Sequence, residues 1–121
     1  MISRILRTLT VLAVIALPLS ALAAKEPIYI NLATTDPSKV AMALDAGRQY
    51  AEHGFPLVIY LNDKAVILGV EVKSGGFSKE QEAIRQAIAS GATVIICPTC
   101  LQDHGFTRIN LVQGVMVGAE H

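Results

Sequence analysis

Residues 93–106 read TVIICPTCLQDHGF, and this stretch decides how the rest of the chain is interpreted. The β-branched, apolar run that opens it is typical of a buried strand. That run ends at a Cys-Pro-Thr-Cys turn, which is followed by a short polar segment of helical composition. In an open α/β sheet, ligands and chemistry collect outside the carboxyl ends of the strands. We therefore expect both cysteines of the chain, Cys97 and Cys100, to lie at such an end.

The first 24 residues have the three regions of a secretory signal peptide. Arg4 and Arg7 form a basic region, residues 9–17 form an apolar region, and Ala-Leu-Ala at 21–23 supplies the cleavage signature. A membrane anchor is disfavoured because the apolar run is shorter than the roughly 20 residues that a spanning helix needs. We expect a cleaved signal over residues 1–24, export to the periplasm, and a single α/β domain over 25–121.

Removal of the signal changes the charge of the chain. It takes away two of the ten basic residues and none of the ten acidic residues, which leaves eight against ten and a formal charge of −2. A chain with this charge lacks the excess of basic residues that binds nucleic acid, or an anionic membrane once the signal is cleaved. A chain of this size buries only a modest fraction of its surface when it folds. Oligomerisation would bury more surface and add to its stability.

Two strand–helix units are predicted to precede the cysteine segment. Strands are predicted at residues 28–32, 57–61 and 92–96, with the first of them in a central position. Because strand, helix and strand alternate along the chain, the sheet is expected to be parallel with right-handed crossovers. The expected class is α/β, a Rossmann-like or flavodoxin-like three-layer sandwich with a mostly parallel sheet of four to five strands. Residues 115–117 are a candidate short strand.

The helix boundaries are predicted from capping signals. Asp36 is the expected N-cap of the first helix with Pro37 after it, and Gly54 is the expected residue beyond its end. The second helix is expected to start with Ser78 as cap and Gln81 in the capping-box position. Ser90-Gly91 is expected to close that helix. Residues 65–72 are ambiguous: they fit a returning strand or an apolar flap over the carboxyl edge of the sheet.

The cysteine turn allows several chemistries. A cysteine between a strand and a helix faces unpaired backbone N–H groups and the positive end of the helix dipole, which favours the thiolate. Dithiol–disulfide exchange, persulfide carriage and metal binding by Cys97, Cys100 and His104 all fit this geometry, although the metal site lacks a fourth ligand. The alternative without any chemical function is an inert local disulfide between Cys97 and Cys100. A structural staple is disfavoured because its entropic gain grows with loop length.

Four segments together resemble the DsrE/DsrF-like family of small sulfur-relay proteins. They are IYINLATTDP at 28–37, VIYLNDKAV at 58–66, ICPTCLQDHG at 96–105 and LVQGV at 111–115, and the resemblance covers most of the mature chain. It implies a Rossmann-like parallel sheet, assembly into trimers or hexamers, and a persulfide carried on Cys97. Cys100 then corresponds to the second cysteine of the Cys-x-x-Cys branch of the family.

The chain departs from this family in two respects. Family members usually continue into another helix and a final strand, so we expect one edge of the sheet to be missing or completed by a neighbour. The predicted signal peptide indicates the periplasm, whereas the best-understood sulfur relays are cytoplasmic. An oxidising compartment tends to close a Cys-x-x-Cys pair, which opposes the free thiolate that a persulfide carrier needs.

The leading hypothesis is a periplasmic homo-oligomer that handles sulfur or thiols through Cys97, with Cys100 as the resolving partner. A sulfur donor or acceptor protein is the expected partner, no cofactor is predicted, and turnover as an enzyme is left open. The alternatives are a thiol–disulfide redox protein and a non-catalytic metal-binding module that uses Cys97, Cys100 and His104. A further alternative is a structural subunit in which residues 65–72 pack against a neighbouring copy.

Overall fold

The protein is described by a computed structural model over residues 25–71 and 76–119, so the predicted signal peptide lies outside the described residues. Four strands form one all-parallel sheet in the order in which they occur along the chain: β1 (Ile28–Leu32), β2 (Leu57–Leu61), β3 (Thr93–Ile96) and β4 (Met116–Val117). The helices are α1 (Pro37–Glu52), α2 (Ser78–Ala89) and α3 (Pro98–Asp103), with 3-10 segments at Asp63–Gly69 and Arg108–Asn110. The predicted α/β class, with a parallel sheet and flanking helices, is confirmed.

The side chains of the sheet alternate between a buried and an open face. Leu32, Leu61, Ile96 and Val117 lie side by side across all four strands and point towards the helices. The first three of these are almost fully buried. Helix α1 packs closely on this face: a Cβ atom added to Gly47 would lie 2.7 Å from the side chain of Ile30. Glycine therefore permits the helix to approach the sheet.

The prediction of a central position for β1 is wrong. Among the described strands, β1 pairs with β2 alone and lies at the edge of the four-stranded sheet. Its exposed Tyr29 and Asn31 alternate with Ile28, Ile30 and Leu32, which indicates one solvated face but does not indicate an edge position. Such alternation is typical of a strand with one solvated face, whereas strands buried on both faces are apolar throughout.

The segment after β2 is a flap and not a returning strand. It forms the 3-10 segment Asp63–Gly69, and its only strand-like pairing among the described residues is the bridge between Val70 and Leu111. Ala65, Val66 and Leu68 have no exposed surface. These three side chains fill the core of the protein's own fold, and the alternative in which residues 65–72 pack against a neighbouring copy stays a prediction.

Most helix ends agree with the capping signals. The Asp36 carboxylate accepts a hydrogen bond of 2.9 Å from the Lys39 amide. Gly54 and Gly91 follow α1 and α2 with positive φ angles of 86° and 99°, which glycine adopts without strain. The predicted Ser78 cap is wrong, because α2 begins at Ser78 itself and Phe77 occupies the N-cap position without a side-chain hydrogen bond.

Gln81 is a buried anchor for the flap and not a capping-box residue. Its side-chain amide donates to the carbonyl oxygen of Ile67 at 2.9 Å and to that of Val70 at 3.1 Å. Only 3% of Gln81 is exposed. One glutamine therefore satisfies two carbonyl groups that the irregular backbone of the flap leaves without a regular partner.

We expect Gln81→Leu to lower the free energy of unfolding by about 2 to 4 kcal/mol, because two shielded carbonyl groups lose their donor. Gln86→Leu is the matched control on the same helix, since Gln86 is exposed, and it should change stability by less than about 0.5 kcal/mol. Urea denaturation followed by circular dichroism measures both. Equal effects of the two substitutions would contradict the anchoring role.

Within the described ranges, no helix has the length and apolar character needed to cross a bilayer.

Candidate functional site: a cysteine pair at the carboxyl edge of the sheet

Cys97 joins the end of β3 to the start of α3. Its amide donates to the carbonyl oxygen of Leu61 at 2.9 Å, which extends the pairing of β2 and β3 by one residue. Its own carbonyl accepts from the Leu101 amide at 3.0 Å, which is the first hydrogen bond of the helix. Pro98 occupies the first helical position, where its lack of an N–H group costs nothing. The predicted strand-to-helix turn is confirmed.

The two sulfurs form a disulfide across the first turn of α3. The Cα atoms of Cys97 and Cys100 lie 5.3 Å apart, within the usual range for a disulfide. The Cys100 amide donates to the Cys97 sulfur at 3.1 Å. Both residues are half-buried, so they are held in place and also remain open to an incoming reactant.

His104 lies one turn beyond Cys100 and contacts an acidic residue from another strand end. Its Nε2 atom lies 3.4 Å from Oδ1 of Asp63, and both side chains are exposed to solvent. Asp63 lies two residues beyond the end of β2 and has a positive φ angle of 45°, an uncommon conformation that aspartate tolerates better than most residues. The end of α3 is thereby connected to the start of the flap.

The same edge carries a pair of asparagines. The side-chain amide of Asn62 donates to that of Asn31, and the Asn62 backbone amide donates to the carbonyl oxygen of Leu32 at 3.0 Å. Sequence reasoning did not select Asn31, Asn62 or Asp63 as site residues. Asn62 and Asp63 follow directly after a predicted strand, and that position was the signal for finding them.

The predicted metal trio is not assembled. In the part of the chain that the structure describes, no group of three or more His, Cys, Asp or Glu side chains is placed to hold a metal ion. Both sulfurs are engaged with each other and His104 faces Asp63. In this state neither sulfur is a free thiolate that could coordinate a metal ion.

Two surface depressions among the described residues lie away from the cysteines. One of about 640 Å³ lies beside Tyr50 and Phe55, and another of about 500 Å³ lies between α1 and α2. Arg48 on α1 borders the second, and its hydrogen bond lowers the pKa of the Asp45 carboxyl. Neither depression is lined by Cys97 or Cys100, and we call the half-buried edge that carries the two cysteines the open rim.

Among solved structures, the fold is similar to that of the ychN protein from E. coli. The match covers 80% of this chain and 86% of that chain, with a TM-score of 0.63 and 24% sequence identity. At this identity the likeness establishes the fold alone, which is an α/β fold like that of the ychN protein. No protein-family profile and no curated protein sequence matches the chain. Membership of the DsrE/DsrF-like family therefore stays a prediction.

In the reduced protein, we expect iodoacetamide to alkylate Cys97 at least about ten times faster than Cys100 at pH 7. The Cys100 amide that donates to the Cys97 sulfur stabilises its thiolate, which is the reactive form. The variants Cys100→Ser and Cys97→Ser present one thiol each, and intact mass against time gives the two rates. Equal rates, or a faster Cys100, would show that the amide contact does not control reactivity.

Proposed function

We propose that this protein is a periplasmic, DsrE-like carrier of sulfur, with Cys97 as the residue that accepts a sulfur atom and Cys100 as its resolving partner. One observation carries the proposal: the Cys97 sulfur is fixed at a strand end, accepts an amide hydrogen bond, and has a second sulfur within bonding reach. The YchN-like fold supports the same conclusion at the level of architecture.

The accepting step needs a donor that holds a sulfane sulfur. The Cys97 thiolate attacks the terminal sulfur of a donor persulfide, a new S–S bond forms on Cys97, and the donor leaves as its thiolate. No external oxidant is needed, because the sulfane sulfur passes from one thiol to another. The amide that supports the thiolate of Cys97 raises the fraction of Cys97 that is in the reactive form at neutral pH.

Besides being passed on to an acceptor, the sulfur on Cys97 can be released through an attack by Cys100. Its thiolate attacks the inner sulfur of Cys97, the persulfide bond breaks, hydrosulfide leaves, and the two cysteines become the disulfide. A nearby resolving cysteine thus releases sulfur in reduced form and leaves the protein oxidised. A thiol reductant must then reopen the pair before another sulfur is accepted, because both electrons of the release step come from the two cysteines.

The proposed periplasmic location rests on the predicted signal peptide. Because of this location, the proposal must include a reductant that reopens the disulfide between Cys97 and Cys100. The periplasm keeps exposed Cys-x-x-Cys pairs oxidised. We therefore propose that a dedicated reducing protein acts on the disulfide and that a second protein donates or accepts sulfur. The open rim at the carboxyl edge suits such partners, because both sulfurs are half-buried and not enclosed.

We expect reduced mature protein to gain the mass of one sulfur atom when it is incubated with a sulfane-sulfur donor. Cys97→Ser should abolish this gain, whereas Cys100→Ser should retain it and hold it longer, because the resolving thiolate is gone. Intact mass spectrometry under acid quench follows the added sulfur.

Two results would reject the carrier role. One is the absence of added sulfur on Cys100→Ser, in which the resolving thiolate is gone, and the other is an addition that survives Cys97→Ser. The sequence contains two cysteines, and Thr99 between them carries a hydroxyl that does not react with sulfane sulfur. Loss of the added mass in Cys97→Ser therefore assigns the site.

A second function, thiol–disulfide exchange, is favoured by the disulfide itself. The two functions are distinguished by insulin reduction in the presence of dithiothreitol. We expect no acceleration from a dedicated sulfur carrier. Acceleration by the wild type that is lost in Cys97→Ser, together with no sulfur gain, would replace the carrier by a redox protein.

A further inference from the structure

The resolving cysteine lacks the support that the fold gives to its partner. The Cys100 amide donates to the Cys97 sulfur at 3.1 Å, whereas no backbone amide among the described residues donates to the Cys100 sulfur. An ordinary cysteine thiol is mostly protonated at neutral pH, and the thiolate is the form that attacks another sulfur. The release step in which Cys100 attacks therefore needs a group that takes the proton from this thiol.

His104 lies one helical turn beyond Cys100 on the same side of α3. The His104 amide donates to the Cys100 carbonyl oxygen at 3.1 Å, which is the hydrogen bond of a regular helical turn. Side chains four residues apart on a helix have their Cβ atoms about 5 to 6 Å from each other. The Cα–Cβ bonds of a helix also tilt towards its N-terminus, so the His104 side chain leans back towards the turn that carries Cys100.

Asp63 orients the imidazole ring of His104. Its carboxylate oxygen Oδ1 lies 3.4 Å from Nε2 of the ring. When the Nε2–H group faces a carboxylate, the other ring nitrogen, Nδ1, is the one that can accept a proton. Nδ1 is also the ring nitrogen nearer to the backbone of α3, and therefore nearer to Cys100.

We propose that His104 accepts the proton of the Cys100 thiol when Cys100 releases the sulfur held on Cys97, and that Asp63 is the positioning residue for His104. The inference rests on the proposed function, because a persulfide on Cys97 is the substrate of this step. Imidazole exchanges protons readily at neutral pH, which makes histidine the commonest general base in proteins. An acidic residue that holds the base in one orientation completes the arrangement of nucleophile, base and orienting group.

The step balances without an external oxidant. Nδ1 of His104 takes the thiol proton, and the Cys100 thiolate forms an S–S bond to the inner sulfur, which belongs to Cys97. The bond between the inner and outer sulfurs breaks, and its electron pair leaves with the outer sulfur. The outer sulfur takes up the proton from the imidazolium and departs as hydrosulfide. The outer sulfur is thereby reduced, and the two cysteines are oxidised to the disulfide.

This role separates the two halves of the sulfur cycle. Acceptance of sulfur uses the Cys97 thiolate, which the Cys100 amide already supports, so it does not require His104. Release as hydrosulfide uses the Cys100 thiolate, and this step does require His104. A protein without this imidazole should therefore accept sulfur normally and hold it longer.

The test compares His104→Gln and Asp63→Asn with the control His53→Gln. His53 ends α1 as His104 ends α3, and both side chains are exposed. Asparagine tolerates the positive φ angle of 45° at position 63, so Asp63→Asn removes the charge and keeps the backbone. Each reduced mature protein is loaded with sulfur from inorganic polysulfide, and intact mass after rapid acid quench follows the loss of the added sulfur.

We expect His104→Gln to accept one sulfur atom, as the wild type does, and to release it at least about ten-fold more slowly. Free imidazole should restore its release rate, because a small base replaces the missing side chain, whereas a purely structural defect would not respond. Asp63→Asn should slow release by a smaller factor, and His53→Gln should release sulfur at the wild-type rate. Wild-type release by His104→Gln, slow release that imidazole does not restore, or equal slowing in His53→Gln would each overturn the inference.

Failure of the proposed function gives a different result. If Cys100→Ser takes up no sulfur, the carrier role is rejected, and the single thiol of Cys97→Ser then tests His104 by itself. In this background we expect His104→Gln to slow alkylation of Cys100 by iodoacetamide at least about three-fold at pH 7, because the base that takes up its proton is lost. An unchanged alkylation rate would reject the role of His104 whether or not the protein carries sulfur.

Discussion

The hydrogen bond from the Cys97 amide to the Leu61 carbonyl, 2.9 Å long, holds the candidate site in its place. It makes Cys97 the last paired residue of the sheet, while the carbonyl of the same residue begins α3. A residue that ends a buried strand and caps a helix has no freedom to move its backbone without breaking both elements. Its sulfur is therefore directed by the sheet and not by a mobile loop.

The features that the sequence predicted are those whose causes are local. Asp36 reaches an amide three residues away, and Gly54 and Gly91 provide a backbone conformation within a single turn. The features that were missed depend on distant partners. Gln81 bonds carbonyl groups 11 and 14 residues away, and His104 contacts Asp63 across 41 residues. Pattern and spacing do not carry that information.

The edge position of β1 was missed for a related reason. A strand shows its buried and exposed faces through alternation, but its place in the sheet depends on the other strands. Here the order β1-β2-β3-β4 has no reversal, and ligand crevices in open sheets form where the order reverses. The described strands therefore give the cysteines a rim and not a crevice. Such a rim suits a sulfur that is handed over by another protein.

The alternation that builds the core also divides the side chains of the sheet between two faces. Leu61 and Ile96 point towards the helices, so their neighbours Tyr60 and Ile95 must point to the opposite side. Cys97 follows Ile96 directly, and its amide makes the last hydrogen bond between β3 and β2. A partner in the proposed sulfur transfer therefore reaches its sulfur from beyond the strand ends and not across either face of the sheet.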